Sequence, residues 1–278
     1  MNRKFIVGAV AYDPKVVTIW EGFKIYFEKH GMEIDYILFS NYESQVEALF
    51  NGQIDAAWNS PLAWIRAERI GRFRGTPVGI GPMRDSDQNL SSVLVVLNKS
   101  DFQSVADLKG KKIGFGAMDS PQARLIPLDH LEQSGLVDGN FRIRIFDKLV
   151  GKHGDHIGGE RDAAQALISG EVDAAWMIEG NYNVFSQEGT FPAGETRILS
   201  HTKSYDHCIF NYAPKVSASQ SQRFSEILLG MKWSDPEVKP LLEMEGLKEW
   251  RVGRTSGFSL LDRAVDSAHF YDKSGKIL

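Results

Sequence analysis

A seven-residue stretch that occurs twice limits what this chain can fold into. Gly52-Gln53-Ile54-Asp55-Ala56-Ala57-Trp58 returns, with one polar and one aliphatic exchange, as Gly170-Glu171-Val172-Asp173-Ala174-Ala175-Trp176. An amphipathic run precedes each copy, at Val46–Phe50 and at Ala164–Ile168. A glycine just past a helix supplies its left-handed C-terminal turn. A short apolar run of small residues suits a strand covered on both faces. Helix, glycine stop and buried strand are therefore built twice, which predicts two lobes of one design.

The flanking segments extend the parallel between the halves. Residues 4–11 read as a first strand, Asp13-Pro14 as a helix start, Ile34–Phe39 as a second strand and Ser40-Asn41 as the next cap. In the second half Ile113–Ala117, Asp119-Ser120-Pro121 and Phe141–Phe146 take the corresponding roles. Strands joined by helices at such short spacing imply doubly wound α/β lobes. The polar, glycine-rich residues 75–92 lead into the β-branched strand Val93–Leu97, and Arg197–Ser200 and Cys208–Asn211 read as returning strand segments. We expect a first lobe from residues 1–92 plus 209–278, an inserted second lobe from residues 93–208, and crossings near 90–97 and 200–210. The C-terminal part reads as helical, with Phe224–Met231, a helix start at Ser234-Asp235-Pro236 and a last run near Leu260–Val265.

With 278 residues, the chain is long enough for two compact lobes. A net charge of −4 gives no electrostatic footprint for nucleic acid or an anionic membrane. Insertion into a bilayer is not expected, since no run approaches the roughly 20 apolar residues needed. The apolar run Phe5–Tyr12 after Arg3-Lys4 is followed by Asp13-Pro14 where a leader would have small residues, so we read it as a strand. The expectation is a cytoplasmic protein if the chain is complete and a periplasmic one if a leader was removed. Cys208 is the single cysteine, which excludes an internal disulfide.

Chemistry-bearing residues gather where open α/β sheets bind ligands, after the carboxyl ends of strands. The helix starts Tyr12-Asp13-Pro14, Asn59-Ser60-Pro61, Asp119-Ser120-Pro121 and Glu160-Arg161-Asp162 are candidates, with Trp64, Gln122 and Glu179 beside them. A helix N-terminus favours an anion through free N–H groups and the macrodipole. Asp13, Ser60 and Asp119 could equally do no more than cap their helices. The second half also carries an inserted run, Gly151-Lys152-His153-Gly154-Asp155-His156, whose histidines could donate hydrogen bonds to a ligand. Together with His207 and Cys208 they are weak candidates for a zinc, copper or iron site of no standard spacing, and no cofactor is expected. His207 and Cys208, read as neighbours on a strand, should point to opposite faces and be unable to exchange a proton. No G-x-S-x-G, phosphate-binding loop or H-E-x-x-H is present.

Three stretches resemble a known family. Val46–Trp64, Ala106-Asp107-Leu108-Lys109-Gly110-Lys111-Lys112-Ile113-Gly114 and Gly159–Ala164 followed by Gly170–Trp176 are similar in content and order to the phosphonate-binding subunits of ABC transporters. The resemblance covers nearly the whole chain. It implies a two-lobed type II periplasmic-binding-protein fold with two crossing strands, a small-molecule ligand clamped by hinge closure, and an ABC permease as a possible partner. We expect that ligand to lie between Tyr12, Asn59, Ser60 and Trp64 on one side and Asp119, Ser120, Gln122, His153, His156 and Arg161 on the other, with Glu160, Glu179 and His207 as further ligand-binding candidates.

Two departures shape the expected solute. Asp119-Ser120-Pro121-Gln122 stands where the family has a serine/threonine-rich helix start, and Glu160-Arg161 near its histidine. A solute carrying both signs or several hydrogen-bonding groups then fits better than a simple dianion. The alternative is a cytoplasmic enzyme on the same scaffold, decarboxylase-like, with His153 or His156 as base and Asp119 or Glu160 as its partner.

Overall fold

The computed structural model describes residues 3–147 and 157–278. They fall into two compact units, one of residues 1–88, 206–258 and 271–278, the other of residues 89–205 and 259–270. In chain order the first unit holds β1 (Phe5–Val10), α1 (Lys15–Lys29), β2 (Ile34–Phe39), α2 (Tyr42–Phe50), β3 (Ala56–Asn59), α3 (Pro61–Arg74), β4 (Gly79–Ile80) and β5 (Met83–Arg84). The second holds β6 (Ser92–Leu97), β7 (Lys112–Phe115), α4 (Ile126–Gln133), β8 (Arg142–Ile145), α5 (Ile157–Ile168), β9 (Ala174–Ile178), α6 (Glu179–Gln187) and β10 (Thr196–His201). The chain returns to the first unit with β11 (Ile209–Tyr212), α7 (Ala218–Leu229), α8 (Lys239–Glu245) and β12 (Trp250–Arg251). A last helix, α9 (Ser259–Ser267), belongs to the second unit.

The two sheets share one plan. The first runs β2-β1-β3-β11-β4 and the second, read from its other edge, β8-β7-β9-β6-β10. In both, the three leading strands are parallel and the fourth is antiparallel to the repeated strand. The registers also match: Val7 and Gly8 lie opposite Ala56 and Ala57, as Ile113 and Gly114 lie opposite Ala174 and Ala175. This is the α/β architecture that the duplicated stretch implied.

Each residue of the repeat has a physical task. Gly52 and Gly170 stand at φ of 71° and 78°, where a Cβ is disfavoured, and they end α2 and α5. Asp55 and Asp173 tie the repeated strand to the central one. The Ile6 N–H donates to Asp55 Oδ2 at 2.8 Å while the Asp55 N–H donates to the Ile6 carbonyl at 2.7 Å. Lys112 and Asp173 make the same reciprocal pair, at 2.7 Å in each direction. The small Ala56, Ala57, Ala174 and Ala175 are fully buried and let helices approach both faces of the sheet.

The cores are rich in aromatic contacts. In the first unit Phe224 stacks on Phe5 and packs on Phe27, with ring centroids 5.1 and 4.8 Å apart. Fully burying one such side chain contributes about 1.5–3 kcal/mol. In the second unit Trp176, Phe115 and Phe141 fill one side of the sheet and Phe185 and Phe191 the other. Helix α9 is anchored there by Arg263, which grips the buried Asp129 with Nε–Oδ1 and Nη2–Oδ2 distances of 2.9 and 2.6 Å.

Three sequence-based boundaries need correction. Helix α7 begins at Ala218, because Ser217 caps it by accepting from the Gln220 N–H. No helix starts at Ser234-Asp235-Pro236: Asp235 closes a turn through the Glu237 N–H, and α8 begins at Lys239. Cys208 lies outside β11, which begins at Ile209. Among the described residues no helix is long and apolar enough to cross a membrane.

The reciprocal aspartate bonds generate a prediction. Asp55→Ala and Asp173→Ala each strip a charged acceptor from a part-buried backbone N–H, and each is expected to lower stability by about 1–3 kcal/mol in urea unfolding. Asn at either position should restore part of the loss. A loss below about 0.5 kcal/mol would show that the strand pairing does not use these carboxylates.

Candidate functional site

The carboxyl ends of the parallel strands in the first unit carry a dense polar cluster. Strand β1 stops at Val10, just before Tyr12, and β3 at Asn59, just before the cap of α3. Because β11 runs antiparallel to β3 with Ile209 opposite Asn59, the residues preceding it, His207 and Cys208, come to the same rim. The short β5–β12 pair sets Trp250 opposite Arg84, and Glu245 ends α8 before the left-handed Gly246.

Arg84 organises this cluster. It holds Asp87 through Nε–Oδ2 and Nη2–Oδ1 contacts of 2.5 and 3.0 Å, donates from Nη1 to the Glu245 carbonyl at 2.7 Å, and lies 3.4 Å from Glu245 Oε1. Its guanidinium carbon also sits 5.3 Å from the centre of the Trp58 ring, within cation–π range. His207 Nδ1 is 3.1 Å from Cys208 Sγ and 3.5 Å from Asp87 Oδ1, and the His207 N–H donates to the Asp87 carbonyl. The expected divergence of His207 and Cys208 therefore fails. Alternation of side chains belongs to strands, and these two residues precede one.

Burial and neighbouring charges set the protonation states. Burial works against ionised Asp87, but Arg84 and His207 outweigh it and hold this carboxyl at about 2. Burial likewise disfavours a charged imidazole, yet Cys208 and Asp87 raise His207 to about 10. Glu245 goes the other way: burial lifts it to about 7, with Arg84 and a Trp58 hydrogen bond opposing the rise. The phenols of Tyr12 and Tyr42 are pushed up chiefly by burial, with Glu245 and Cys208 adding to the effect, and so remain donors. The rim thus presents two cations, two phenols, an ionised aspartate and a glutamate that titrates near neutrality.

Other sequence candidates in the first unit serve the framework. Asn59 is fully buried, accepting from Gln45 Nε2 at 2.8 Å and donating to Asn211 Oδ1 at 2.7 Å. Ser60 caps α3 through the Ala63 N–H, and the Asp13 carboxylate accepts from the Lys15 N–H. Trp64 is buried with its ring 5.6 Å from that of Phe258.

In the second unit Ser120 caps a π-type turn, Pro121–Leu125, by accepting from the Ala123 N–H. Such turns recur at functional sites. Asp119 is half-buried just ahead of it. The backbone carbonyl of Gln122 accepts from Ser92 Oγ, while its buried Oε1 has no hydrogen-bond partner among the described residues. Glu160 is buried and accepts from the Ile178 N–H at 2.9 Å and from Asn181 Nδ2 at 2.8 Å, which ties α5 to β9 and α6. Arg161 pairs with Glu188 and Thr190 and stacks over Phe185. Glu179 accepts from the Ser91 hydroxyl and lies 3.7 Å from His201 Nε2. His153 and His156 lie outside the described residues.

Asp87, His207 and Cys208 offer one ligand atom each within 4.8 Å of one another. Arg84 already holds both oxygens of Asp87, so a metal ion there would have to displace a guanidinium. Sequence reasoning missed Tyr42, Arg84, Asp87 and Glu245. The Arg84-x-x-Asp87 spacing in the polar run was the available signal, but nothing local connects it to Glu245 or His207.

Glu245 makes the stability of the fold pH-dependent. Its folded-state value, about 7, lies above the ordinary 4.5, so across that interval the folded chain keeps a proton that the unfolded chain has released. Stability contributed this way is complete below pH 4.5 and falls as pH rises through 7. Well below pH 6.5 His207 is charged whether the chain is folded or not. His130, whose pKa burial lowers, contributes there with the opposite sign in wild type and variant alike, so the difference between the two profiles reports Glu245. Glu245→Gln is expected to flatten that part of the urea-unfolding profile, and an unchanged slope would refute the assignment.

Residues 7–256 match the family described as "ABC transporter, phosphonate, periplasmic substrate-binding protein". A Prochlorococcus marinus protein named "Probable ABC transporter phosphite binding protein" is 29% identical over 51% of this chain and 46% of its own length. The phosphate-import protein of Mycolicibacterium smegmatis is 24% identical over 61% of this chain and 50% of its own. The chain thus spans about half the length of these curated relatives. A solved Prochlorococcus marinus structure in complex with methylphosphonate shares the fold at a TM-score of 0.68 and 18% identity, covering 95% of this chain and 98% of that one. With the two matching sheets, this makes the architecture that of the two-lobed periplasmic binding proteins. The family match extends over most of the chain, which belongs to the phosphonate-type substrate-binding proteins of ABC transporters.

Proposed function

We propose that this chain is a solute-binding component that takes up a small anionic or zwitterionic solute at the strand-end rim of its first unit. The observation that carries this reading is the placing of Arg84 and His207, two cations, with the phenols of Tyr12 and Tyr42 at that rim. Such rims are where α/β sheets recruit ligands. An oxyanion there accepts from the phenols and shares the guanidinium with the resident acids. Asp87 and Glu245 stand beside the cations and favour a solute that carries a positive group as well. The relatives' named solutes, phosphite and methylphosphonate, are tetrahedral oxyanions and support the anionic half of this reading.

Glu245 gives the rim an adjustable charge. When ionised it competes with the solute for Arg84, and when protonated it leaves Arg84 to the solute. Anion affinity therefore falls as pH rises through about 7. In this reading the loaded protein delivers its solute unchanged to an ABC permease, and the periplasm is its compartment.

Calorimetric titration of phosphite, phosphate, methylphosphonate and an aminoalkylphosphonate, with mass analysis of the recovered solute, tests the proposal. At least one should bind and be recovered unaltered, the amino-substituted member most tightly. Tyr12→Phe should weaken it about tenfold, as expected for one lost hydrogen bond to a charged group. Failure of every member to bind, or recovery of a chemically altered solute, would overturn the reading.

A further inference from the structure

The second unit contains a cavity of about 370 Å³, of the size that takes small organic ligands. It is lined by Arg124 and Leu125, from the turn that Ser120 caps, and by residues of α4 and α9. Its walls mix apolar side chains such as Leu125, Leu136 and Phe141 with the carboxylates of Asp129, Glu132 and Asp138. A single cation lines it, Arg124, which is only 8% exposed.

Arg124 is anomalous in that setting. Its Nε and Nη1 are shielded from water and have no hydrogen-bond partner among the described residues. An unpaired guanidinium in apolar surroundings is costly, and a buried polar group is normally satisfied. Burial correspondingly lowers its pKa, with the charge of Asp138 opposing the shift. Asp129, beside it, is already held by both arms of Arg263. Two of its nitrogens thus lack an acceptor among the described residues, beside a cavity with room for one.

We infer that this cavity is a second binding site, for a small amphiphilic carboxylate whose head group pairs with Arg124 and whose apolar body lies against Leu125, Leu136 and Phe141. One cation calls for one negative charge. The exposed carboxylates of Glu132 and Asp138, which also line the cavity, oppose a dianion such as phosphate and leave a monoanion as the favoured head. A carboxylate accepts from a guanidinium in the two-pronged geometry that Arg263 already uses on Asp129.

The test uses the full chain and four probes, octanoate, octanol, octylamine and inorganic phosphate, in calorimetric titration and thermal unfolding. Octanoate should bind and raise the unfolding temperature. Octanol should bind about tenfold more weakly for want of the charged hydrogen bond, and octylamine and phosphate should leave this cavity empty. Arg124→Met, which keeps length and apolarity, should abolish the preference for octanoate over octanol. Leu128→Trp, which fills the cavity and keeps the charge, should weaken both. Tyr12→Phe, at the first unit's rim, should leave octanoate binding unchanged, which separates this site from that one. No octanoate binding, or a preference that survives Arg124→Met, would overturn the proposal.

Discussion

The register between the central strand and the repeated strand, fixed in each unit by an aspartate, is the constraint on which the rest of the structure depends. Asp55 accepts from the Ile6 N–H and returns its own N–H to the Ile6 carbonyl, and Asp173 does the same with Lys112. A shift by one residue would turn every side chain of the strand to the other face. It would break these bonds and set Trp58 and Trp176 on the wrong side of their sheets. With the register fixed, the strand ends fall in place, and with them Tyr12, Asn59 and the start of β11.

The first unit's rim shows how one buried cation can govern several acids. Arg84 pairs with Asp87 closely enough to keep it ionised despite burial, and Cys208 and Asp87 in turn keep His207 charged. Glu245 shares the guanidinium only through a longer contact, so burial dominates and its carboxyl moves toward neutrality. Two acids a few ångströms apart are driven in opposite directions by the quality of their geometry with the same arginine. A cluster of this kind can exchange one internal acid for an external anion without leaving the guanidinium bare, which suits the solute binding proposed for this rim.

Much of the fold was legible in the sequence because its signals are local. A glycine after an amphipathic run, small residues in a buried strand and Ser60 or Asn41 ahead of a helix each act within a few residues. The helix start expected at Ser234-Asp235-Pro236 failed where two local signals compete, since an aspartate that can cap a helix can also close a turn. The candidate site was less legible. Asn59, Glu160 and Arg161 stand near the expected positions, but their polar atoms are engaged in holding elements together. Residue type and spacing cannot tell a side chain that faces a ligand from one that faces a neighbouring strand.

The sequence by itself determined the duplication, the parallel αβ units and the glycine stops, because hydrophobic period and turn chemistry are properties of short segments, while the family resemblance rested on three motif stretches. The tertiary structure alone decided which charges meet. Arg84, Glu245 and His207 come from distant parts of the chain, and only the antiparallel return of β11 and the course of α8 bring them to one rim. It also left Nε and Nη1 of Arg124, beside a cavity, without an acceptor among the described residues. Electrostatic energies depend on separation and burial in space, and neither quantity is written in the order of the residues.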